Sequence, residues 1–134
     1  MQEIVAFEHE HLPEVMGLFA AERWSCANDQ ARTWRALTAP GSLTLVALAD
    51  ERVTGVAQTL TDGQVQAFLS ILLVAAERRS TGIGRALVQE ALRRTPCLRL
   101  DLISCADAFY QGLGFRAVSG FRHTAGPAGA SPMP

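Results

Sequence analysis

The chain of 134 residues contains no lysine; all twelve of its basic residues are arginine. Chemistry built on a lysine Schiff base is thereby excluded, as is the phosphate-gripping lysine of an ordinary P-loop enzyme. Cysteine is scarce. Cys26, Cys97 and Cys105 form no C-x-x-C pair and lie near no histidine cluster, so neither a zinc site nor a disulfide framework is expected, and no metal is needed. No stretch reaches the roughly 20 apolar residues of a membrane span. The first residues carry acid rather than the basic start and apolar run of a signal peptide, and a soluble cytoplasmic protein is the expectation. Neither sign of charge dominates: the net charge is −1 with acids and arginines interspersed, which is not the electrostatic footprint of a nucleic-acid binder. Nucleic acid and membrane are therefore not expected partners. Tyrosine occurs once, as Tyr110.

What is present is an apolar half of the composition, enough to bury a sizeable core in one domain. Residues 3–7 read as a short strand. A helix follows with Leu12, Val15, Met16, Leu18 and Phe19 on one face and Pro13 in its first turn. A second helix runs over 30–38, with Trp34 and Leu37 as core contacts, and Pro40-Gly41-Ser42 ends it. Three strands, 43–48, 53–60 and 65–74, are separated at hairpin distance and should be antiparallel. The third is almost wholly apolar, as in a central strand covered on both faces, and Phe68 reads as core. A helix over 82–94 carries Ile83, Leu87, Ala91 and Leu92 toward the sheet. A strand over 98–103 should then lie parallel to the central one across the helical crossover. A short helix, 106–113, leads into 115–121. One domain, 1–123, precedes a Gly-, Pro-, Ala- and Ser-rich tail, 124–134, expected to be disordered.

The most informative segment joins the central strand to the long helix. There the apolar run stops in Arg79-Ser80-Thr81-Gly82-Ile83-Gly84-Arg85. Two glycines allow close backbone approach, the first helical N–H groups are unpaired, and the arginines supply charge, so the turn is suited to phosphate.

Taken in order, the strand, the Arg79-x-x-Gly82-x-Gly84 turn, the helix, the next strand and Phe109-Tyr110-x-x-x-Gly114-Phe115 resemble the GNAT superfamily of acyl-CoA N-acyltransferases. The resemblance covers most of the chain and is strongest over 65–115. It implies an α/β (α+β) fold with a mixed, twisted, mostly antiparallel sheet, flanked by helices and splayed between its central parallel strands. In that picture acetyl-CoA is the co-substrate. Its pantetheine arm pairs with strand backbone at Leu72, Leu73 and Val74, and its diphosphate sits on Arg79, Ser80, Thr81, Gly82, Ile83, Gly84 and Arg85. Ser104 stands where many members carry a cofactor-contacting Asn. Tyr110 falls where the family places a hydroxyl beside the departing sulfur. Full proton transfer from a phenol near pKa 10 to a thiolate near 8.5 is uphill by about 2 kcal/mol, so hydrogen bonding to the developing thiolate carries more of the effect.

The amine's own proton is harder to place. Neutralising an alkyl amine of pKa about 10.4 at pH 7 costs roughly 4–5 kcal/mol. Many relatives place Glu or His on the central strand, where this chain has Phe68 and Ser70. Glu22 and Asp62 are the first candidates for a general base, followed by Asp101, His9 and His11. The acceptor, expected to be a small amine, is set by loops such as 22–32, with Trp24, Cys26 and Asp29, and 61–66. The segment after Arg122 lacks the further long strand common in the family, which would leave a sheet edge for a second copy to cover in a homodimer. The competing reading is a non-catalytic acyl-CoA-binding or sensing module, favoured by the absent base and opposed by Tyr110. A nucleotide-binding protein using the same turn lacks both lysine and G-x-G-x-x-G.

Overall fold

Three long runs rich in Val, Leu, Ala and Thr fold as an antiparallel meander because the first two are each followed by a turn that can reverse the chain. In the computed structural model, which describes residues 2–126, these are β2 (Ser42–Ala49), β3 (Arg52–Thr61) and β4 (Gln66–Val74). Asp50 and Glu51, with φ of 51° and 64°, form the two-residue β2–β3 loop, whose left-handed backbone matches the twist of paired strands. The β3–β4 turn is held by one carboxylate oxygen of Asp62, which accepts the N–H groups of Gln64, Val65 and Gln66 at 2.8, 2.8 and 3.2 Å. β1 (Gln2–Ala6) lies antiparallel to β2, and β5 (Arg99–Asp101) lies parallel to β4, giving the order β1-β2-β3-β4-β5.

Helices cover both faces. α1 (Leu12–Ala21) and α2 (Gln30–Leu37) pack Leu12, Val15, Phe19 and Leu37 on Val46, Val56, Ile71 and Leu73. On the other face α3 (Ile83–Arg94) packs Ile83, Leu87, Val88 and Ala91 on Leu45, Ala47, Ala57 and Leu69. α4 (Asp107–Gly112) brings Tyr110, half-buried, to the edge of that second core. Trp34 is only partly buried against the first core, whereas Leu37 is fully so.

The register of β4 against β3 slips between Gln58 and Thr59: Gln58 faces Ile71 and Thr59 faces Leu69. Ser70 is therefore the extra residue of a β-bulge, which bends a strand and reverses the alternation of its side chains. Before it, Leu69 points at α3; after it, Ile71 and Leu73 point at α1 and α2 while Leu72 and Val74 turn to the α3 side. Both faces of β4 are thus covered, but Phe68 is 37% exposed rather than core. Cys105 is likewise exposed.

β5 is shorter than its alternating sequence suggests. Only Arg99, Leu100 and Asp101 pair, with Gln66, Ala67 and Phe68, and pairing ends just before the bulge bends β4 away. Residues 115–121 adopt neither helix nor strand. Of the expected tail, 127–134 lie outside the described residues, and among those described no helix is long and apolar enough to cross a membrane.

Close approach of α3 to β3 depends on Gly55, where an added Cβ would lie 2.9 Å from Leu87 Cδ1, 3.1 Å from Ile83 Cγ2 and 3.1 Å from the Leu73 carbonyl oxygen. Gly55→Ala is expected to lower unfolding free energy by about 1–3 kcal/mol through overpacking. Urea denaturation checks this; an unchanged midpoint would show that helix and strand do not meet as described.

Candidate active site

Where β5 stops pairing, β4 from Leu69 to Val74 keeps β3 on one side and has no strand on the other. Its amides and carbonyls on that side are available to a ligand, as at any unpaired sheet edge. The orientation at the far end follows from the hydrogen bonds. Ala75 N–H donates to the Thr54 carbonyl at 2.8 Å, so across that trans peptide the Val74 carbonyl points away from β3, into the opening. Arg79 Nε donates to this carbonyl at 3.2 Å.

Beyond Val74 the chain makes a 3₁₀ turn, Ala76–Arg78, and then the glycine-containing loop. Ser80 and Gly82 both have positive φ, 64° and 91°, and the Thr81 hydroxyl donates to the Arg78 carbonyl. α3 has no side-chain cap, and among the described residues the N–H groups of Ser80 to Arg85 have no acceptor. These converging donors sit at the positive end of a three-turn helix, which is the local chemistry of an anion site. The loop and strand end are brought to α4 by Phe109: a Cβ on Gly84 would be 3.5 Å from Phe109 Cζ and 3.6 Å from Val74 Cγ2. The end of β4 at Val74 thus meets the 79–85 loop at Gly84.

Tyr110 follows Phe109 and is wedged edge-on between it and Phe115, with ring centroids 4.9 and 5.5 Å away. Burial pushes its phenol above the ordinary value, because the charged phenolate is the form that burial penalises. It lines a cavity of about 150 Å³ with Asp101, Ser104 and Asp107. The Ser104 hydroxyl oxygen accepts the Ala106 N–H at 2.9 Å, and Asp101 lies 3.4 Å from Arg99 Nε.

Of the carboxylates expected as bases, Asp101 lines the Tyr110 cavity, and Glu22 and Asp62 make other contacts. Glu22 caps the end of α1 and forms an ion pair with Arg79; it belongs to the anion loop. Asp62 holds the β3–β4 hairpin, and its carboxyl is depressed by the Val65 N–H and then by the Gln64 N–H. His9 packs edge-on against Trp34 at 5.0 Å, and His11 Nδ1 accepts the Glu8 N–H at 2.9 Å. Among the described residues, no three His, Cys, Asp or Glu side chains are grouped to hold a metal ion.

A larger cavity, about 600 Å³, opens on the other face between α1, α2 and the sheet. Cys26 and Asp29 line it from the α1–α2 connection, Arg32 from α2, Gln58 from β3, and Ser70 and Ile71 from the bulge. Burial raises the Cys26 thiol. Of the loop residues expected to shape an acceptor site, Cys26 and Asp29 reach this cavity; Trp24 instead stacks on Phe19 at 5.4 Å, and the 61–66 hairpin does not line it. Gln58 escaped the sequence reading. Its signal was a lone amide on the strand face that also carries Val56 and Leu60.

The acetyltransferase (GNAT) domain family matches residues 40–117. Solved structures share the fold. A GNAT-family acetyltransferase from Streptococcus pneumoniae superposes with TM-score 0.78 at 24% identity, covering 93% of this chain and 98% of its own. For a Trypanosoma brucei acetyltransferase the values are 0.76 and 22%, with 93% and 99% covered. Glucosamine-6-phosphate N-acetyltransferase from Arabidopsis thaliana gives 0.77 at 10% identity, with 93% and 98% covered. No curated protein matches the sequence.

With one tyrosine in the chain, the phenolate absorbance reports Tyr110 alone. It is expected to titrate above the free phenol's value near pH 10. The fold favours the neutral phenol, so the stability this adds is fully present below that value and is lost as pH rises through the elevated one. A midpoint at or below that of the urea-unfolded chain would contradict the burial.

Proposed function

The chain belongs to the GNAT family of acyl-CoA-dependent acetyltransferases, and from that premise we propose that it transfers acetyl from acetyl-CoA to the primary amine of a small molecule. Attack is direct, with both substrates bound, and residues 1–123 act as one domain. The observation that carries this reading is the meeting at Ser70–Ile71 of two openings: the unpaired β4 edge and the 600 Å³ cavity from the opposite face. That volume is in the usual range for small-molecule sites, about 300–1,000 Å³, and glucosamine-6-phosphate in the plant neighbour's name is a small-molecule acceptor.

Acetyl-CoA fits the first opening. The unsatisfied N–H groups of Ser80 to Arg85 would take the diphosphate, and backbone at Leu72, Leu73 and Val74 would pair with the pantetheine amides. Arg79 then exchanges part of its contact with Glu22 for the phosphate. In the reaction the amine nitrogen bonds to the thioester carbon, the carbon–sulfur bond breaks, and the amine proton leaves through water in the open cavity. A β4 backbone N–H at the bulge stabilises the oxyanion. Tyr110, kept neutral by burial, donates a hydrogen bond to the departing thiolate. Ser104 contributes at the α4 side of the same cleft. Glu22 serves as the partner that holds Arg79. Phe68 and Ser70, where an acid or base is common, are the observation favouring a sensor instead.

Calorimetry with acetyl-CoA and a thiol-release assay over an amine panel separate the two readings. Tyr110→Phe is expected to lower kcat by about 10²-fold while leaving acetyl-CoA affinity unchanged. Binding without thiol release from any amine would establish the sensor. Glu22→Gln is expected to change KM for acetyl-CoA and to preserve the pH profile of kcat; loss of a basic limb in that profile would instead make Glu22 the general base.

A further inference from the structure

Among the described residues, two polar side chains line the inner part of the 600 Å³ cavity with a group still to be satisfied: the half-buried Ser70 hydroxyl at the bulge and the buried Gln58 amide. Asp29 and Arg32 are exposed at its mouth. Inside, Thr33 is 4% exposed and its hydroxyl donates to the Cys26 carbonyl at 2.6 Å. Gln58 is also 4% exposed, and its Nε2 donates to the Ala36 carbonyl at 2.8 Å. That bond fixes the amide, because the carbonyl of Ala36 cannot face the oxygen end. Oε1 has no partner of its own among the described residues, yet no buried side-chain oxygen there is left without one. The oxygen therefore keeps accessible surface, and the space bordering Gln58 is the cavity. Gln58 is the register partner of Ile71, next to the bulge at Ser70. Around it the walls are Phe19, Leu37, Leu60 and Ile71, and the carboxylate that lines the cavity among the described residues, Asp29, is exposed at the mouth.

Resting on the acetyltransferase reading, we propose that Gln58 Oε1 accepts a hydrogen bond from the acceptor's amine and so aims its lone pair at the thioester, and that the acceptor is a monoamine on an apolar body. One neutral amide oxygen in an apolar chamber satisfies a single amine N–H. A polyamine or aminoglycoside would bring further ammonium groups past Asp29 at the mouth into the apolar interior, a costly burial without an anionic partner there. Gln58 also caps α2 through Ala36, so its two ends do different work: Nε2 holds the helix and Oε1 holds the substrate.

The test uses the full chain, thiol release with phenylethylamine and hexylamine against spermidine and kanamycin, and two variants. Wild type is expected to favour the apolar monoamines. Gln58→Leu removes both bonds and should raise the amine KM about tenfold, the worth of one hydrogen bond, with acetyl-CoA affinity by calorimetry unchanged. Gln58→Glu cannot donate to Ala36, yet keeps an oxygen in the cavity. It should lose at least as much thermal stability as Gln58→Leu while recovering much of the amine KM, with a pH profile shifted to higher pH because the carboxylate stabilises the ammonium form. A purely structural residue would make both variants equally poor. That result, or thiol release confined to the polycations, overturns this inference and leaves the acetyltransferase reading standing. Silence across the whole panel overturns both.

Discussion

A single unmatched residue organises the molecule. Because Ser70 has no partner in β3, β4 bends at its midpoint, its side chains exchange faces, and β5 cannot follow it beyond Phe68. The same event therefore opens a row of backbone donors and acceptors toward one side and brings Ile71 under α1 and α2 on the other. Without the bulge a continuous parallel pair would close the edge, and Leu69, Ile71 and Leu73 would all face one core. With it, a cleft exists at no cost in burial, since each half of β4 finds its own helix layer.

The anion loop is the second element that depends on this geometry. Ser80 occupies a left-handed conformation that costs an L-residue about 1 kcal/mol, and it is retained where its neighbours over-determine it. Arg79 is tied back to the Val74 carbonyl and across to Glu22, while Thr81 bonds Arg78. The carbonyl that anchors Arg79 is itself on the open edge. Strand end, loop and α1 terminus are thus linked by one guanidinium, so the proposed phosphate on the loop and ligand amide on the strand would be positioned by the same contacts.

Much of this was legible in the sequence because it is local. The hairpins are written in Asp50-Glu51 and Thr61-Asp62-Gly63, the helices in the spacing of Leu12, Val15 and Phe19 and of Ile83, Leu87 and Ala91. The loop declares itself through Gly82 and Gly84. What stayed hidden is long-range. Residues 98–103 alternate well enough for a full strand, but their pairing is limited by a bulge thirty residues earlier that no pattern in Phe68-Leu69-Ser70-Ile71 announces. The role of Glu22 as partner to Arg79 spans 57 positions, and that of Gln58 needs a helix end, Ala36, to lock its amide. Charged residues in loops drew attention as bases, whereas the polar group facing the cavity interior was a neutral amide inside a strand.

Among the described residues the cavity's carboxylate, Asp29, lies at the mouth and none lies inside, which bears on how an amine loses its proton. At pH 7 an alkyl amine of pKa about 10.4 is neutral in only about one molecule in 2,500. A carboxylate beside it would make matters worse at first, since an anion stabilises the ammonium form. Apolar walls act in the opposite sense: burial disfavours the charged form and lowers the pKa of a buried amine by up to about 3–5 units. This is comparable to the gap of about 3.4 units that separates the free amine from neutrality. In the proposed reaction the apolar walls at Phe19, Leu37, Leu60 and Ile71 would lower the amine's pKa toward neutrality by desolvation. On the proposed reading one uncharged oxygen would orient the amine, its proton being shed to water at the mouth before it reaches the thioester.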